Sequence, residues 1–101
     1  MNNVTMSRAS ARSGRKWVVR GRVQGVGFRQ FALNRAQEVG VTGYVRNLSD
    51  GSVEVYACGS QQALDTLAGY LSQGPRFGEV RAIEVMEAPL LQSDGFIIRY
   101  A

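Results

Sequence analysis

The sequence contains no histidine among its 101 residues, and that absence removes many catalytic mechanisms. Histidine is the commonest general base and the commonest metal ligand, and it completes every Ser-His or Cys-His nucleophile pair. The one cysteine, Cys58, cannot form a disulfide within the chain, and the carboxylates are too scattered to predict a metal site. We therefore expect no bound metal, and any catalysis has to rest on positioning and electrostatics.

Long apolar runs are also missing from the sequence. No segment approaches the roughly 18 consecutive apolar residues that span a bilayer, and the first sixteen residues lack the apolar centre of a signal peptide. A single cysteine in such a chain favours a reducing compartment. We therefore expect a cytoplasmic protein that has no membrane partner.

Positive charge is concentrated at the beginning of the chain. Four basic residues and no acidic ones lie within the first sixteen positions, and the rest of the chain holds eight of each. The net charge of +4 therefore belongs to an amino-terminal segment that is rich in Ser, Asn and Arg and poor in apolar residues. We expect residues 1–15 to form a disordered basic tail and residues 16–101 to form one domain.

The remaining residues alternate between strand and helix patterns. Apolar residues at spacings of three and four predict two helices, one from Phe28 and one after Ser60, and Gly40 and Gly74 supply their stops. β-branched and aromatic residues predict five strands, and we expect apolar packing on both faces of the fourth. The predicted strands cover residues 16–22, 41–48, 52–59, 80–87 and 96–100.

This order predicts an α+β fold, the ferredoxin-like β-α-β-β-α-β sandwich with a short fifth strand. Right-handed crossovers place both helices on one face of a mostly antiparallel sheet. The first and third strands are neighbours in this topology, so the loop after the first strand comes near Asn47, at the end of the second. The edge on which the fifth strand pairs stays open.

A glycine-rich stretch from Gly21 to Arg29 joins the first strand to the first helix. Glycines allow successive N–H groups to point inward, and the helix dipole adds partial positive charge, so such a link can cradle an anion. The spacing matches neither a Walker loop nor a dinucleotide fingerprint. On this stretch alone, an anion site and a purely structural turn fit equally well.

Two segments of the chain resemble the signature motifs of the acylphosphatase family. The first is GRVQGVGFR at residues 21–29, and the second is GYVRNLSDGSVE at residues 43–54. Gly74-Pro75 and the closing pattern of Phe96, Ile98 and Tyr100 are also similar to the family, so the resemblance covers residues 16–100. The basic tail lies outside the family pattern.

The resemblance implies hydrolysis of small-molecule acyl phosphates to a carboxylate and inorganic phosphate, without a cofactor. Carried over to this sequence, the catalytic residues are Arg29, which binds the phosphoryl oxygens, and Asn47, which holds the attacking water. Backbone N–H groups complete the site, and we expect a monomer. The phosphate-binding loop comprises Gln24, Gly25, Val26, Gly27 and Phe28.

The chemistry of an acyl phosphate suits this composition. The leaving group is a carboxylate whose conjugate acid has a pKa of roughly 4, so it departs without a general acid. Phosphoryl transfer through a loose transition state mainly requires positioning and charge stabilisation. A guanidinium fork matches phosphoryl oxygens, and a neutral amide orients water without acting as a base.

Other interpretations stay open on the sequence alone. The basic tail and the element order suggest nucleic-acid binding, but the third strand lacks the aromatic pattern of RNA-recognition domains and the domain without its tail is neutral. We therefore expect no nucleic-acid partner.

A non-catalytic anion-binding module would use the same loop without turnover. In the structural alternative, Arg29 is a solvated first-turn residue, Asn47 a turn residue and Tyr100 a packing or rim aromatic.

Overall fold

A computed structural model describes residues 11–100 of the chain. Residues 1–10, which make up most of the predicted tail, lie outside the described residues. Within the described range, five strands and two helices follow one another in the predicted order. They are β1 (Ser13–Arg22), α1 (Phe28–Val39), β2 (Thr42–Asn47), β3 (Val53–Gly59), α2 (Gln61–Gln73), β4 (Glu79–Ala88) and β5 (Phe96–Arg99).

The strands form one sheet in the order β4-β1-β3-β2-β5. Neighbouring strands are antiparallel except β2 and β5, which run parallel. The predicted ferredoxin-like α+β fold is confirmed, and β1 and β3 are neighbours as expected. The sequence left the position of the fifth strand open, and the structure places it beside β2.

Both helices begin and end at residues that the local sequence marks. α1 begins after Gly27 and ends at Gly40, which has a left-handed φ of 80°. Ser60 caps α2, because its hydroxyl oxygen accepts a hydrogen bond from the Ala63 N–H at 3.1 Å, and Gly74 follows the last turn. Neither of these helices in residues 11–100 is long and apolar enough to cross a membrane.

A hydrophobic core fills the space between the helices and one face of the sheet. Trp17 and Val19 of β1 enter this core, as do alternate residues of β3. Each leucine that is fully buried there stabilises the fold by roughly 1.5–3 kcal/mol relative to an exposed one. The helical side chains buried in the core are Phe28, Ala32, Ala36, Leu64, Leu67 and Leu71.

β1 begins three residues earlier than the sequence pattern predicted. Ser13, Gly14 and Arg15 pair with the end of β3, so the predicted disorder is wrong for residues 13–15. The sequence pattern missed these residues because their side chains show no strand alternation. Their pairing is made by the main-chain groups, which do not depend on that alternation. Arg15 also forms an ion pair with Asp65 of α2 at 3.0 Å. Residues 13–15 therefore belong to the folded domain.

The face of the sheet opposite the helices carries a buried carboxylate, Glu54 of β3. It accepts hydrogen bonds from Arg46 Nε at 2.6 Å and Tyr44 OH at 3.2 Å, and Lys16 Nζ lies 3.5 Å from it. Burial raises the pKa of this carboxyl, but the hydrogen bond and charge of Arg46, with the charge of Lys16, outweigh that effect. The pKa of Glu54 is consequently below its ordinary value of 4.5.

β4 forms an exposed edge of the sheet. Among the described strands it pairs only with β1, and a register shift between Arg20 and Gly21 interrupts that pairing. Ala82 on one predicted face and Val85 on the other are both exposed, Val85 by 59%, so the expected apolar packing on both faces of this strand is wrong. An irregular edge with charged side chains discourages pairing with other chains.

Gly43→Ala should destabilise the protein strongly. Gly43 has a φ of 143°, and a Cβ at this position would collide with the backbone carbonyl of Tyr56 on β3. We expect urea denaturation to give a free energy of unfolding lower by about 3 kcal/mol. Gly69→Ala in α2 is the matched control, because a Cβ there meets no atom within 4 Å and alanine favours the helix. An equal loss in both variants would contradict the steric argument.

Acid should weaken the fold through two carboxyl groups. Hydrogen bonds from Ser52 and from Arg20 lower the pKa of Asp50 from 3.8 to about 2, and the pKa of Glu54 is also lowered. Such groups stabilise the fold fully above their unfolded-state pKa, and the stabilisation is lost as the pH falls through the folded-state value. The free energy of unfolding should therefore decline between about pH 5 and about pH 2.

A Glu54→Gln variant isolates one of these two contributions. At pH 7 it should lower the free energy of unfolding by about 2 kcal/mol, because Arg46 and Lys16 lose a buried partner but remain partly solvated. Its stability should also change less with acid than that of the wild type. A pH profile identical to the wild-type profile would show that Glu54 is not the coupled group.

Candidate active site

The link between β1 and α1 bends at two glycines. Gly25 and Gly27 have φ angles of 76° and 82°, in the left-handed region that glycine adopts without strain. A Cβ built at either position meets no other atom within 4 Å. Both glycines therefore border open space, and the main chain of the loop is accessible to a ligand.

The amino end of α1 has N–H groups without helical acceptors. Gly27 offers no side-chain cap, and the Phe31 N–H donates the first hydrogen bond of the helix to the Gly27 carbonyl at 3.0 Å. The N–H groups of residues 28–30 precede that bond and have no carbonyl in the helix to bind. No acidic residue occupies this first turn. These groups and the helix dipole together favour an anion.

Arg29 adds a full positive charge at the same helix end. Its guanidinium carbon lies 4.9 Å from the centre of the Tyr100 ring, so the aromatic face supports the cation. No acidic side chain within residues 11–100 forms an ion pair with Arg29. A cation in the first turn opposes the helix dipole, and a bound anion would compensate both charges.

Asn47 stands at the end of β2 with an unused acceptor. Its main chain is paired with Val53 of β3. Its side-chain oxygen Oδ1 is buried and accepts no hydrogen bond from any described residue. An unsatisfied buried polar atom costs about 1–3 kcal/mol, so native structures generally retain one where a ligand or water uses it.

One cleft of 240 Å³ brings these groups together. Arg29 and Asn47 both line it, although they come from different elements and are eighteen positions apart. No acidic side chain lines the cleft, and no group of three or more His, Cys, Asp or Glu in residues 11–100 is arranged to hold a metal. The full lining is Val23, Gly25, Gly27, Phe28, Arg29, Gln30, Asn47, Ile98 and Tyr100.

A larger hollow of 490 Å³ lies elsewhere, beside Arg12, Thr42 and residues 90–93. No residue of the glycine-rich loop lines it, and neither does Asn47. We assign the candidate site to the smaller cleft, because the free N–H groups, the cation and the unused amide oxygen converge there.

Two residues of the predicted phosphate-binding loop turn their side chains away from the cleft. Gln24 Nε2 donates hydrogen bonds to the carbonyl oxygens of Leu48 at 2.8 Å and Ser52 at 2.9 Å. Val26 packs against the hydrophobic core. Any part that these two residues play in anion binding therefore falls to their main-chain N–H groups.

The carboxyl end of the described chain contributes two lining residues that the sequence did not assign to the site, Ile98 of β5 and Tyr100 just after it. Strand alternation places both on one face, but the face could not be identified while the pairing of the fifth strand was open. The sequence predicts a packing or rim position for Tyr100, from which an aromatic ring could touch the acyl group. Val23 and Gln30 also line the cleft. Their positions next to the predicted phosphate-binding loop are the one feature of the sequence that could have identified them.

Comparison with known proteins identifies the family of this chain. The family model described as Acylphosphatase matches residues 15–98. The chain belongs to the acylphosphatase family. This confirms the family and the enzyme class that the two motifs predicted, because acylphosphatases are hydrolases that act on acyl phosphates.

Individual relatives agree over nearly the whole chain. An acylphosphatase of Solibacter usitatus is 52% identical over 96 residues, which are 95% of this chain and 100% of the relative. The structure of an acylphosphatase from Coxiella burnetii matches with a TM-score of 0.84 and 34% identity, covering 87% of this chain and 93% of that one. The Bacillus subtilis acylphosphatase structure gives 0.83 and 38%, covering 86% and 98%.

Inorganic phosphate should bind at the amino end of α1. In a titration followed by amide NMR, the resonances of residues 25–30 should shift progressively, because their N–H groups face the anion. The amide of Gly40, at the other end of α1, serves as the internal control. Arg29→Ala should weaken the binding. Shifts spread evenly over the surface, or confined to the 490 Å³ hollow, would contradict the assignment.

Proposed function

We propose that this chain hydrolyses acyl phosphates in the cleft between the glycine-rich loop and β2, with Arg29 and Asn47 as its catalytic residues. One observation carries the proposal: an arginine without an acidic partner in the described residues and a buried amide oxygen without a donor line the same cleft. An acyl phosphate supplies the anionic partner for the arginine, and a water molecule supplies the hydrogen-bond donor for the amide oxygen.

The phosphoryl group is held by the loop and by Arg29. The N–H groups of residues 25–30 donate to its oxygens, and the guanidinium forms paired hydrogen bonds to two of them. The stacking of Arg29 on Tyr100, at 4.9 Å, limits the rotation of the guanidinium and so preserves its orientation.

Asn47 orients the attacking water. Its Oδ1 accepts a hydrogen bond from the water and thereby directs an oxygen lone pair toward phosphorus. A neutral amide takes no proton near neutral pH, so the proton of the water passes to the phosphate product. The bond between phosphorus and the carboxyl oxygen breaks, and its electron pair leaves with the carboxylate.

The departing carboxylate requires no general acid, since the pKa of its conjugate acid is roughly 4. The absence of an acidic side chain and of histidine from the cleft lining is therefore compatible with this reaction. Ile98, Val23 and the exposed ring of Tyr100 form an apolar side on which the acyl group can rest. All these groups belong to one chain, so the chemistry operates in a monomer.

The same proposal extends to setting and partners. We expect a cytoplasmic enzyme of small-molecule acyl phosphates that uses no cofactor and binds no nucleic acid. The acyl side of the cleft offers few polar groups, so discrimination among acyl groups should be weak compared with the requirement for the phosphoryl end.

Hydrolysis of benzoyl phosphate in the presence of EDTA tests the catalytic assignments. Arg29→Ala should lower kcat by about 10²-fold or more, since it removes a preorganised charge stabiliser. Arg29→Lys is the matched control and should retain part of the activity, because it keeps the charge but loses the fork. Asn47→Ala should lower kcat similarly, with a much smaller change in the inhibition constant of phosphate.

Two outcomes would count against this function. Wild-type protein that binds phosphate but hydrolyses benzoyl phosphate only at the uncatalysed rate would be a non-catalytic anion-binding module. Full activity in both Arg29→Ala and Asn47→Ala would show that the enzyme is active at a site other than the proposed cleft.

A further inference from the structure

Gln24 makes the only side-chain bridge described between the glycine-rich loop and the turn that joins β2 to β3. Its Nε2 donates to the carbonyl oxygen of Leu48 at 2.8 Å and to that of Ser52 at 2.9 Å, so both of its hydrogens are used. The amide is partly buried, which makes these bonds less exposed to competition from water.

The two acceptors form the neck of that turn. The Leu48 N–H donates to the Ser52 carbonyl at 2.9 Å, and the Gly51 N–H donates to the Leu48 carbonyl at 3.2 Å. The Gln24 amide therefore holds both sides of the turn at the point where its strands part. Moving the loop relative to this neck would break two hydrogen bonds at once.

Sequence neighbours of this bridge are the residues of the candidate site. Gln24 directly precedes Gly25, where the loop bends around the cleft, and Leu48 directly follows Asn47. The bridge thus joins the phosphate side of the cleft to its water side, one residue away from each.

Among the described residues, no main-chain hydrogen bond joins the glycine-rich loop to this turn. β1 and β2 lie on opposite sides of β3 in the sheet, so they are roughly 10 Å apart and do not pair with each other. The loop after β1 and the end of β2 are otherwise related through β3 and through α1, which packs on β2. A side chain of the length of glutamine closes that gap directly.

We propose that Gln24 is a positioning residue that sets the distance between the phosphate cradle and the water held by Asn47. The inference rests on the proposed function, since it assigns Gln24 no contact with substrate. In-line attack depends on this distance, and a displacement of about 1 Å can cost up to 10²-fold in rate.

Gln24→Met is the informative variant because methionine keeps the length and apolar contacts of the side chain but donates no hydrogen bond. We expect kcat for benzoyl phosphate to fall about tenfold, while the inhibition constant of phosphate changes less than about twofold. Gln37→Met is the matched control, since Gln37 is exposed on α1, and its kcat should equal that of the wild type. Both variants are assayed at a temperature where they are folded. A general loss of stability would not lower kcat there while leaving phosphate affinity unchanged.

A double-mutant cycle with Asn47→Ala tests whether Gln24 acts through Asn47. In the Asn47→Ala background, Gln24→Met should lower kcat by less than about twofold further, because no positioned water remains to be displaced. If Gln24→Met does not fold, Gln24→Asn replaces it in the cycle. The shorter amide can reach only one of the two carbonyls, and a loss of about threefold is expected.

The outcomes separate this inference from the proposed function. Wild-type kcat in Asn47→Ala overturns the water-holding role that the proposed function gives to Asn47, and the positioning role of Gln24 is overturned with it. A large loss in Asn47→Ala together with wild-type kcat in the Gln24 variant overturns the positioning role alone. The positioning role is also overturned if the kcat losses of the Gln24 variant and Asn47→Ala are fully additive. It is likewise overturned if the Gln24 variant loses phosphate affinity instead of kcat.

Discussion

The rest of the structure depends on the burial of β3. All seven residues from Val53 to Gly59 are buried, on the face that meets the helices and on the face that carries Glu54. A strand enclosed in this way has to satisfy its main chain on both sides, and β1 and β2 provide that pairing. The register of β3 thereby fixes where β1 releases the glycine-rich loop and where β2 presents Asn47. A slip of one residue would exchange the two faces and dismantle both the core and the cleft.

The cleft holds polar groups whose partners the described residues do not supply. Arg46 and Arg15, by contrast, are paired at the sheet with the carboxylates of Glu54 and Asp65. At the cleft, the charge of Arg29 is met by an aromatic ring, and the oxygen of Asn47 meets no donor among the described residues. Unmatched groups of both kinds at one place are unfavourable in the empty protein. A bound anion and a bound water molecule would satisfy them.

Local chemistry made much of this architecture predictable from the sequence. Ser60, Gly40 and Gly74 act on the residues next to them, so both helices end where the pattern placed them. Features that depend on distant partners were missed. Ser13 to Arg15 form a strand because the end of β3 pairs with them, and Ile98 faces the cleft because β5 lies beside β2. Arg29 and Asn47 were identified by their motifs, whereas the two carbonyls that Gln24 binds could not be known without coordinates.

The parallel pairing of β2 with β5 also affects the stage of folding at which the cleft can form. Gly43 pairs with Phe96 and Ser13 with Gly59, so these ladders close long stretches of chain, and only the hairpin of β2 and β3 is local. Contacts between such distant segments form late, because the entropy of closing the chain is lost before the contacts stabilise anything. The cleft draws its walls from the loop after β1, from the first turn of α1, from the end of β2 and from β5 with Tyr100 after it. The cleft is therefore complete only when the β2–β5 ladder has formed, because a chain that has only its hairpin and helices in place lacks the wall that Ile98 provides.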